Sequence, residues 1–230
     1  MKTIGLIGGM SWESTVTYYQ VINKVIKEKL GGFHSAKCVL YSVDFAEIEK
    51  YQSNGDWEKS ADTLRDASVA LEKAGADFII ICTNTMHKIA DDVQKKIRIP
   101  LLHIADLTAE VLLAEQIDKV ALLGTKYTMK EDFYKSRLEA KGITVLIPDD
   151  GECSAVNEII YNELCLGQIK DTSKKYMLEL MKKLADKGAK GMILGCTEIG
   201  LLVNQSDTRI PLFDTALIHA EKAALYSLQS

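Results

Sequence analysis

The sequence predicts an α/β protein made of two pseudo-symmetric halves, each a parallel sheet covered by helices. Three observations carry this expectation. Short apolar runs alternate with longer amphipathic stretches along the chain, the same turn-and-strand punctuation recurs about half a chain apart, and 230 residues at 47% hydrophobic content supply enough apolar side chains for two cores. A chain of this size makes one large domain or two of roughly 100 residues each.

The alternation runs in order. Thr3–Ile7, Lys37–Val43, Phe78–Cys82, Val120–Leu123, Thr144–Ile147 and Gly191–Leu194 read as strands buried on both faces. Thr15–Leu30, Trp57–Ala74, Met86–Ile97, Thr108–Glu115, Met129–Lys141, Ala155–Leu166 and Thr172–Lys187 carry helical spacing. Strands separated by helices in this way are the βαβ pattern of a parallel sheet.

The repeat is the more informative signal. Ala74-Gly75-Ala76-Asp77 opens a strand that runs into Cys82-Thr83-Asn84-Thr85, and Lys187-Gly188-Ala189-Lys190 opens one that runs into Gly195-Cys196-Thr197-Glu198. Arg98-Ile99-Pro100-Leu101 is echoed by Arg209-Ile210-Pro211-Leu212, and Leu6-Ile7-Gly8-Gly9 by Leu122-Leu123-Gly124-Thr125. The expected division is residues 1–100 plus 212–230 for one domain and 101–211 for the other. Thr83 and Cys196 fall at the same distance after Gly75 and Gly188, so they occupy equivalent positions. Ligands of parallel α/β sheets gather outside the carboxyl ends of the strands, which predicts an active site in the interdomain cleft with Thr83 and Cys196 on opposite walls.

Composition narrows the partners. The net charge is −4 with both signs interspersed, so no basic track marks the chain for nucleic acid or anionic lipid. The apolar start Met1–Met10 is broken by Gly8 and Gly9 and followed by Glu13, unlike a signal peptide, and no run approaches a membrane span. Cys38, Cys82, Cys153, Cys165 and Cys196 are odd in number and contain no CxxC pair, which argues against a disulfide framework or a zinc site and for the cytoplasm. His34, His103 and His219 have no metal-ligand spacing. Gly5, Gly8 and Gly9 resemble part of a dinucleotide fingerprint, but Ser11 stands where its last glycine belongs. No metal or cofactor is therefore expected.

A two-sided cleft suits removal of a proton from one face of a carbon and its return to the other. Cysteine serves such a step because a thiolate becomes accessible near neutrality when donors or a helix N-terminus stabilise it. Cys196, at a strand end where backbone N–H groups are free, is the expected base. As an isolated thiol it would read as a small core residue; its place in the repeat favours the reactive reading. Cys82 lies one residue before the equivalent position and so points to the opposite strand face, into the core. Cys38, Cys153 and Cys165 read as structural.

Thr83-Asn84-Thr85-Met86-His87, Gly195-Cys196-Thr197-Glu198 and the opening Gly5-Leu6-Ile7-Gly8-Gly9-Met10 resemble the aspartate/glutamate racemase family nearly end to end. The resemblance implies two pseudo-symmetric α/β domains, a homodimer, no pyridoxal phosphate or metal, and two facing cysteines acting as base and acid. The family's first motif begins with cysteine, where this chain has Thr83. That departure is similar to a subgroup of L-aspartate/glutamate-specific racemases with a threonine and cysteine pair. It implies that Cys196 takes the α-proton of the L-enantiomer while Thr83 delivers one to the other face. Asn84, Thr85 and Thr197 are then expected to hold the α-carboxylate and amino group. Met10 and Ser11 would add N–H groups at a helix N-terminus, and Gln52, placed after the second strand and its loop, would meet the distal carboxylate. His87 and Glu198 are expected to orient or tune the site. A single-cysteine decarboxylase resembling arylmalonate decarboxylase, an enzyme resembling maleate isomerase, and an amino-acid binding protein are the competing readings.

Overall fold

The computed structural model describes residues 1–229. The chain divides into a first unit, from Met1 to Ile104 and again from Ala216 onward, and a second unit, Ala105–Thr215.

The first unit begins with β1 (Ile4–Gly8) and α1 (Trp12–Leu30), followed by β2 (Cys38–Ser42), α2 (Phe45–Ser53), α3 (Trp57–Lys73) and β3 (Phe78–Ile81). A 3₁₀ turn (Thr85–Ile89) and α4 (Ala90–Gln94) come next. All strands are parallel in the order β2-β1-β3, with β1 central. Side-chain alternation splits the core into two layers. Ile4, Leu6, Phe78, Ile80 and Cys82 face Tyr18, Ile22 and Ile26 of α1, whereas Ile7, Ile79 and Ile81 face Leu64, Ala67 and Leu71 of α3. Each of the large aliphatic side chains fully withdrawn from water here contributes about 1.5–3 kcal/mol. Ser11 caps α1 by accepting from the Ser14 N–H, and Gly31 at φ +71° ends it.

The second unit carries α5 (Ile104–Ala114), β4 (Lys119–Gly124), α6 (Lys126–Lys130), α7 (Asp132–Glu139), β5 (Thr144–Leu146), α8 (Asp150–Asn162), α9 (Asp171–Asp186), β6 (Met192–Gly195), α10 (Ile199–Leu202) and β7 (Leu212–Asp214). Its parallel sheet has the order β5-β4-β6-β7. The chain then returns to the first unit in α11 (Thr215–Ser227), whose Ala216, Ala220, Ala223 and Ala224 close the layer under α1.

The internal repeat is written in the backbone. Ile79 N–H donates to Pro100 O at 2.9 Å and Met192 N–H to Pro211 O at 2.8 Å; Asp77 N–H donates to Thr3 O and Lys190 N–H to Lys119 O, both at 2.8 Å. Leu101 bridges to Ile79 where, in the second sheet, β7 pairs with β6. Gly75 and Gly188 end their helices at φ +91° and +97°, a conformation closed to most side chains. The two Ile-Pro-Leu echoes therefore place the fourth sheet position in each half.

Several sequence expectations change. The second strand is not buried on both faces: β2 is an edge strand whose Leu40, Tyr41 and Ser42 are exposed. The expected helix 86–97 is a 3₁₀ turn followed by one short helix, and 129–141 is two helices parted at Glu131, whose backbone is extended. The helix expected from Ala155 starts at Asp150, because Asp149 and Glu152 form a reciprocal capping box. The segments 45–53 and 215–227, left unassigned by periodicity, are helices, and Leu212–Asp214 is a strand.

Candidate active site

In the first unit the candidate residues collect at the carboxyl ends of neighbouring parallel strands. Met10 and Ser11 follow β1, and Thr83, Asn84 and Thr85 follow β3. Thr83 is half-buried; Met10, Ser11, Asn84 and Thr85 are buried. Backbone bonds fix the Thr83 turn: its N–H donates to Ile81 O and the His87 N–H to Asn84 O, at 2.9 and 3.0 Å. Gln52 follows β2 and its loop. It lies in the last turn of α2, where its Nε2 donates to Met86 Sδ at 3.0 Å, so the amide is held beside the Thr83–His87 segment.

In the second unit Cys196, Thr197 and Glu198 follow β6. Cys196 is 8% exposed and belongs to the apolar cluster with Leu194, Ile199 and Leu202; partly buried Cys165 packs on the same cluster. The Cys196 thiol donates to Glu198 Oε2 at 3.0 Å, and the Thr197 hydroxyl donates to the same oxygen at 2.7 Å. Burial first, and the Glu198 charge second, hold the Cys196 thiol well above its ordinary pKa. A backbone N–H of Glu198 acts the other way and is outweighed. The resting group is thus a thiol on a carboxylate rather than a thiolate on backbone donors. Thr197, expected to meet substrate, spends its hydroxyl proton on Glu198 and offers outward only its oxygen lone pairs.

Thr125, which sequence reasoning left out, is the counterpart of Ser11. It follows β4, caps α6, and accepts from the Thr128 N–H as Ser11 accepts from Ser14. The Gly8-Gly9 and Gly124-Thr125 echo marks the matching strand ends but sets Thr125 opposite Gly9, so its equivalence to Ser11 shows only in the two caps. At this strand end β4 and β6 approach so closely that a Cβ on Gly124 would lie 2.7 Å from Gly195 O.

Under the Thr83 turn three buried imidazoles pack edge to face. His87 lies 4.6 Å from His103 and 5.5 Å from His219 between ring centroids. His87 Nδ1 is 2.8 Å from Thr83 O, so that nitrogen carries the proton and donates. His219 Nε2 likewise donates to Leu102 O at 2.9 Å, leaving Nδ1 to accept from the Tyr18 hydroxyl at 2.9 Å. Burial drives His219 down to about 4; burial, with the other two imidazoles, drives His87 well below the usual histidine value. Both rings are neutral. Among the described residues no cluster of His, Cys, Asp or Glu is arranged to hold a metal ion, and no helix is long and apolar enough to cross a membrane. Cys82 lies in the core layer facing α1, fully buried, which raises its thiol pKa strongly.

Known proteins resemble this chain along its length. The broad-specificity amino-acid racemase RacX of Bacillus subtilis (strain 168) is 26% identical over 219 residues, covering 93% of this chain and 92% of that protein. An aspartate racemase homologue from Pyrococcus horikoshii OT3 superposes with a TM-score of 0.87 at 39% identity over the full length of both chains. A candidate Asp/Glu racemase from Yersinia pestis superposes with a TM-score of 0.94 at 56% identity, again over the full length of both. The family model for Asp/Glu/Hydantoin racemases matches residues 7–223, and this chain belongs to that family.

Proposed function

We propose that the protein is a racemase of acidic amino acids, aspartate or glutamate, that works without pyridoxal phosphate and uses Cys196 and Thr83 as its two proton-transfer groups. The observation that carries this reading is the Cys196 thiol hydrogen-bonded to a buried carboxylate at a strand end. A thiol with a proton acceptor at 3.0 Å becomes a base without solvent. The thiol proton passes to Glu198 Oε2, and the thiolate then takes the α-proton of the L-enantiomer. The bonding pair of the broken C–H bond moves into the substrate carboxylate as an enolate. Thr83 Oγ1 gives its proton to the opposite face as it takes one from water, so no free alkoxide forms, and the proton held on Glu198 returns to solvent, where it neutralises the hydroxide left. The cycle is neutral overall.

Thr83 is the weak side, because an alkoxide is not available near neutrality. Enantiomers are equal in energy, so this asymmetry changes rates and leaves the equilibrium at one. Asn84, Thr85, Met10 and Ser11 are the proposed contacts of the α-carboxylate and amino group, with Thr197 accepting and Gln52 nearest the distal carboxylate. The free state of all five cysteines is in keeping with a cytoplasmic protein, and a homodimer is the proposed assembly.

One observation also favours a second reading: a lone protonated thiol suffices to protonate a carbanion left by decarboxylation. Proton NMR of L-aspartate and L-glutamate in D2O separates the two. Loss of the α-proton signal with no cofactor added supports the racemase; an unchanged signal with both substrates overturns it.

A further inference from the structure

His87 occupies an unusual place in the chain. Its ring lies against His103, just before α5, and His219 of α11. Its Nδ1–H is spent on the carbonyl of Thr83. Its other nitrogen, Nε2, is buried without a hydrogen-bond partner among the described residues. The Thr83 N–H is already committed to Ile81 O, so this imidazole completes the restraint of the Thr83 peptide units on both sides.

We propose that His87 is a positioning residue for Thr83: its Nδ1–H bond to the Thr83 carbonyl sets where the Thr83 hydroxyl points and anchors that turn on the buried rings of His103 and His219. The inference rests on the racemase reading for its kinetic consequence but not for its geometry. A carbonyl fixed from below fixes the turn that carries the side chain, and an off-target displacement of about 1 Å in a proton donor costs on the order of 100-fold in rate. His87 touches no reacting atom in this scheme. It acts only on the Thr83 face, so a defect at His87 separates the two faces of the reaction. Deuterium exchange into recovered L-substrate needs Cys196 alone; inversion needs Thr83 as well.

Two measurements test this. Nitrogen-15 NMR of the full-length wild-type protein reports the His87 tautomer without any substrate: a proton on Nδ1 is expected, and a proton on Nε2 overturns the proposal whatever the enzyme does. The second compares His87→Leu with His87→Asn, whose amide Nδ2 reaches the place of the ring Nδ1. In D2O with L-aspartate or L-glutamate, His87→Leu should lower the ratio of inversion to L-side exchange at least about tenfold, mainly through kcat, while His87→Asn stays within about threefold of wild type. An unchanged ratio in His87→Leu overturns the proposal. So does an equal fall in both variants, which would mark a packing role. Wild-type protein that exchanges no α-proton at all would remove the racemase reading, leaving the tautomer measurement to decide the geometry.

Discussion

Two equivalent strands of this chain end in different chemistry. After β6, Cys196 meets a carboxylate that accepts its hydrogen bond, within an apolar cluster. After β3, at the same repeat position, Thr83 is a hydroxyl whose turn is fixed by a neutral imidazole and by backbone bonds. One end places a proton acceptor beside the candidate group, and the other holds the candidate group's turn by its backbone. The difference teaches that duplication supplies matching positions while the residues behind them decide whether a position is a base. It predicts that substitutions on the β6 side cost chemistry and those on the β3 side cost balance between the two directions.

The largest effect should come from Cys196→Ala. The thiol is the proposed base on the β6 side, so α-proton exchange should fall by at least about 10³-fold with little change in thermal midpoint. Exchange above one per cent of wild type would take Cys196 out of the mechanism. The next largest contrast concerns stability and belongs to the β3 side. His219 is neutral when folded, with a pKa near 4 against 6.5 when unfolded, so the unfolded chain binds its proton first as pH falls. The stabilisation is complete above about pH 6.5 and is lost as pH drops toward 4, by about 3 kcal/mol from this residue alone. Urea unfolding at pH 7 and pH 4.5 measures it, and His219→Gln should flatten the pH dependence. A wild-type protein equally stable at both pH values would contradict the buried neutral imidazole.

Glu198→Gln sharpens the comparison from the other side. It keeps a polar acceptor at Oε1 but removes the charge, so kcat should fall by roughly 10²-fold, the range of a lost general base. The same change removes one of the causes that raise the Cys196 pKa. Alkylation of Cys196 by iodoacetamide should therefore begin at lower pH in the variant than in wild type. Faster turnover together with easier alkylation would show that the carboxylate restrains the thiol instead of serving it.

Thr83 variants address balance directly. Thr83→Cys places a second thiol at the equivalent position and should raise the rate from the D-enantiomer relative to that from the L-enantiomer, by about tenfold or ~1.4 kcal/mol. Thr83→Ala should slow inversion more than deuterium exchange into recovered L-substrate. Chiral chromatography with mass detection reads both in one reaction. Wild-type rates in both directions for Thr83→Ala would break the two-sided model.

Much of the frame was legible because periodicity and punctuation are local. Gly75 and Gly188 end helices for the same steric reason, and the Pro100 and Pro211 echoes mark matching backbone bonds. Strand ends are therefore legible to within a residue or two, and strand parity alone sends Cys82 into the core. What was missed is non-local or short. Leu212–Asp214 has three residues, too few to show a period, and α11 reads as a helix only once its alanine face has a layer to close. The proton on Cys196 was misjudged because adjacency to Glu198 in sequence does not say that its carboxylate turns back onto the sulfur. Tyr18, His87, His103 and His219 meet through folding alone, and no spacing rule joins residues so far apart.

The smallest expected effect is at Cys82, and it tests the comparison at its finest grain. Cys82 and Thr83 are neighbours at the end of β3, yet alternation sends Cys82 into the layer with Ile80 and Tyr18, where it is fully buried. Burial raises its pKa, so it stays a thiol throughout the physiological range, and no nucleophilic or basic role is expected of it. Removing its sulfur takes away about one buried methylene equivalent, which predicts a loss of roughly 1 kcal/mol in stability for Cys82→Ala. Turnover in both directions should remain within about twofold of wild type, an allowance of ~0.4 kcal/mol at the transition state. Urea unfolding and the two-direction racemisation assay on the same preparation check both halves. If turnover instead fell with stability unchanged, the β3 end would present Cys82 rather than Thr83 to substrate, and the chain would hold two thiols after all.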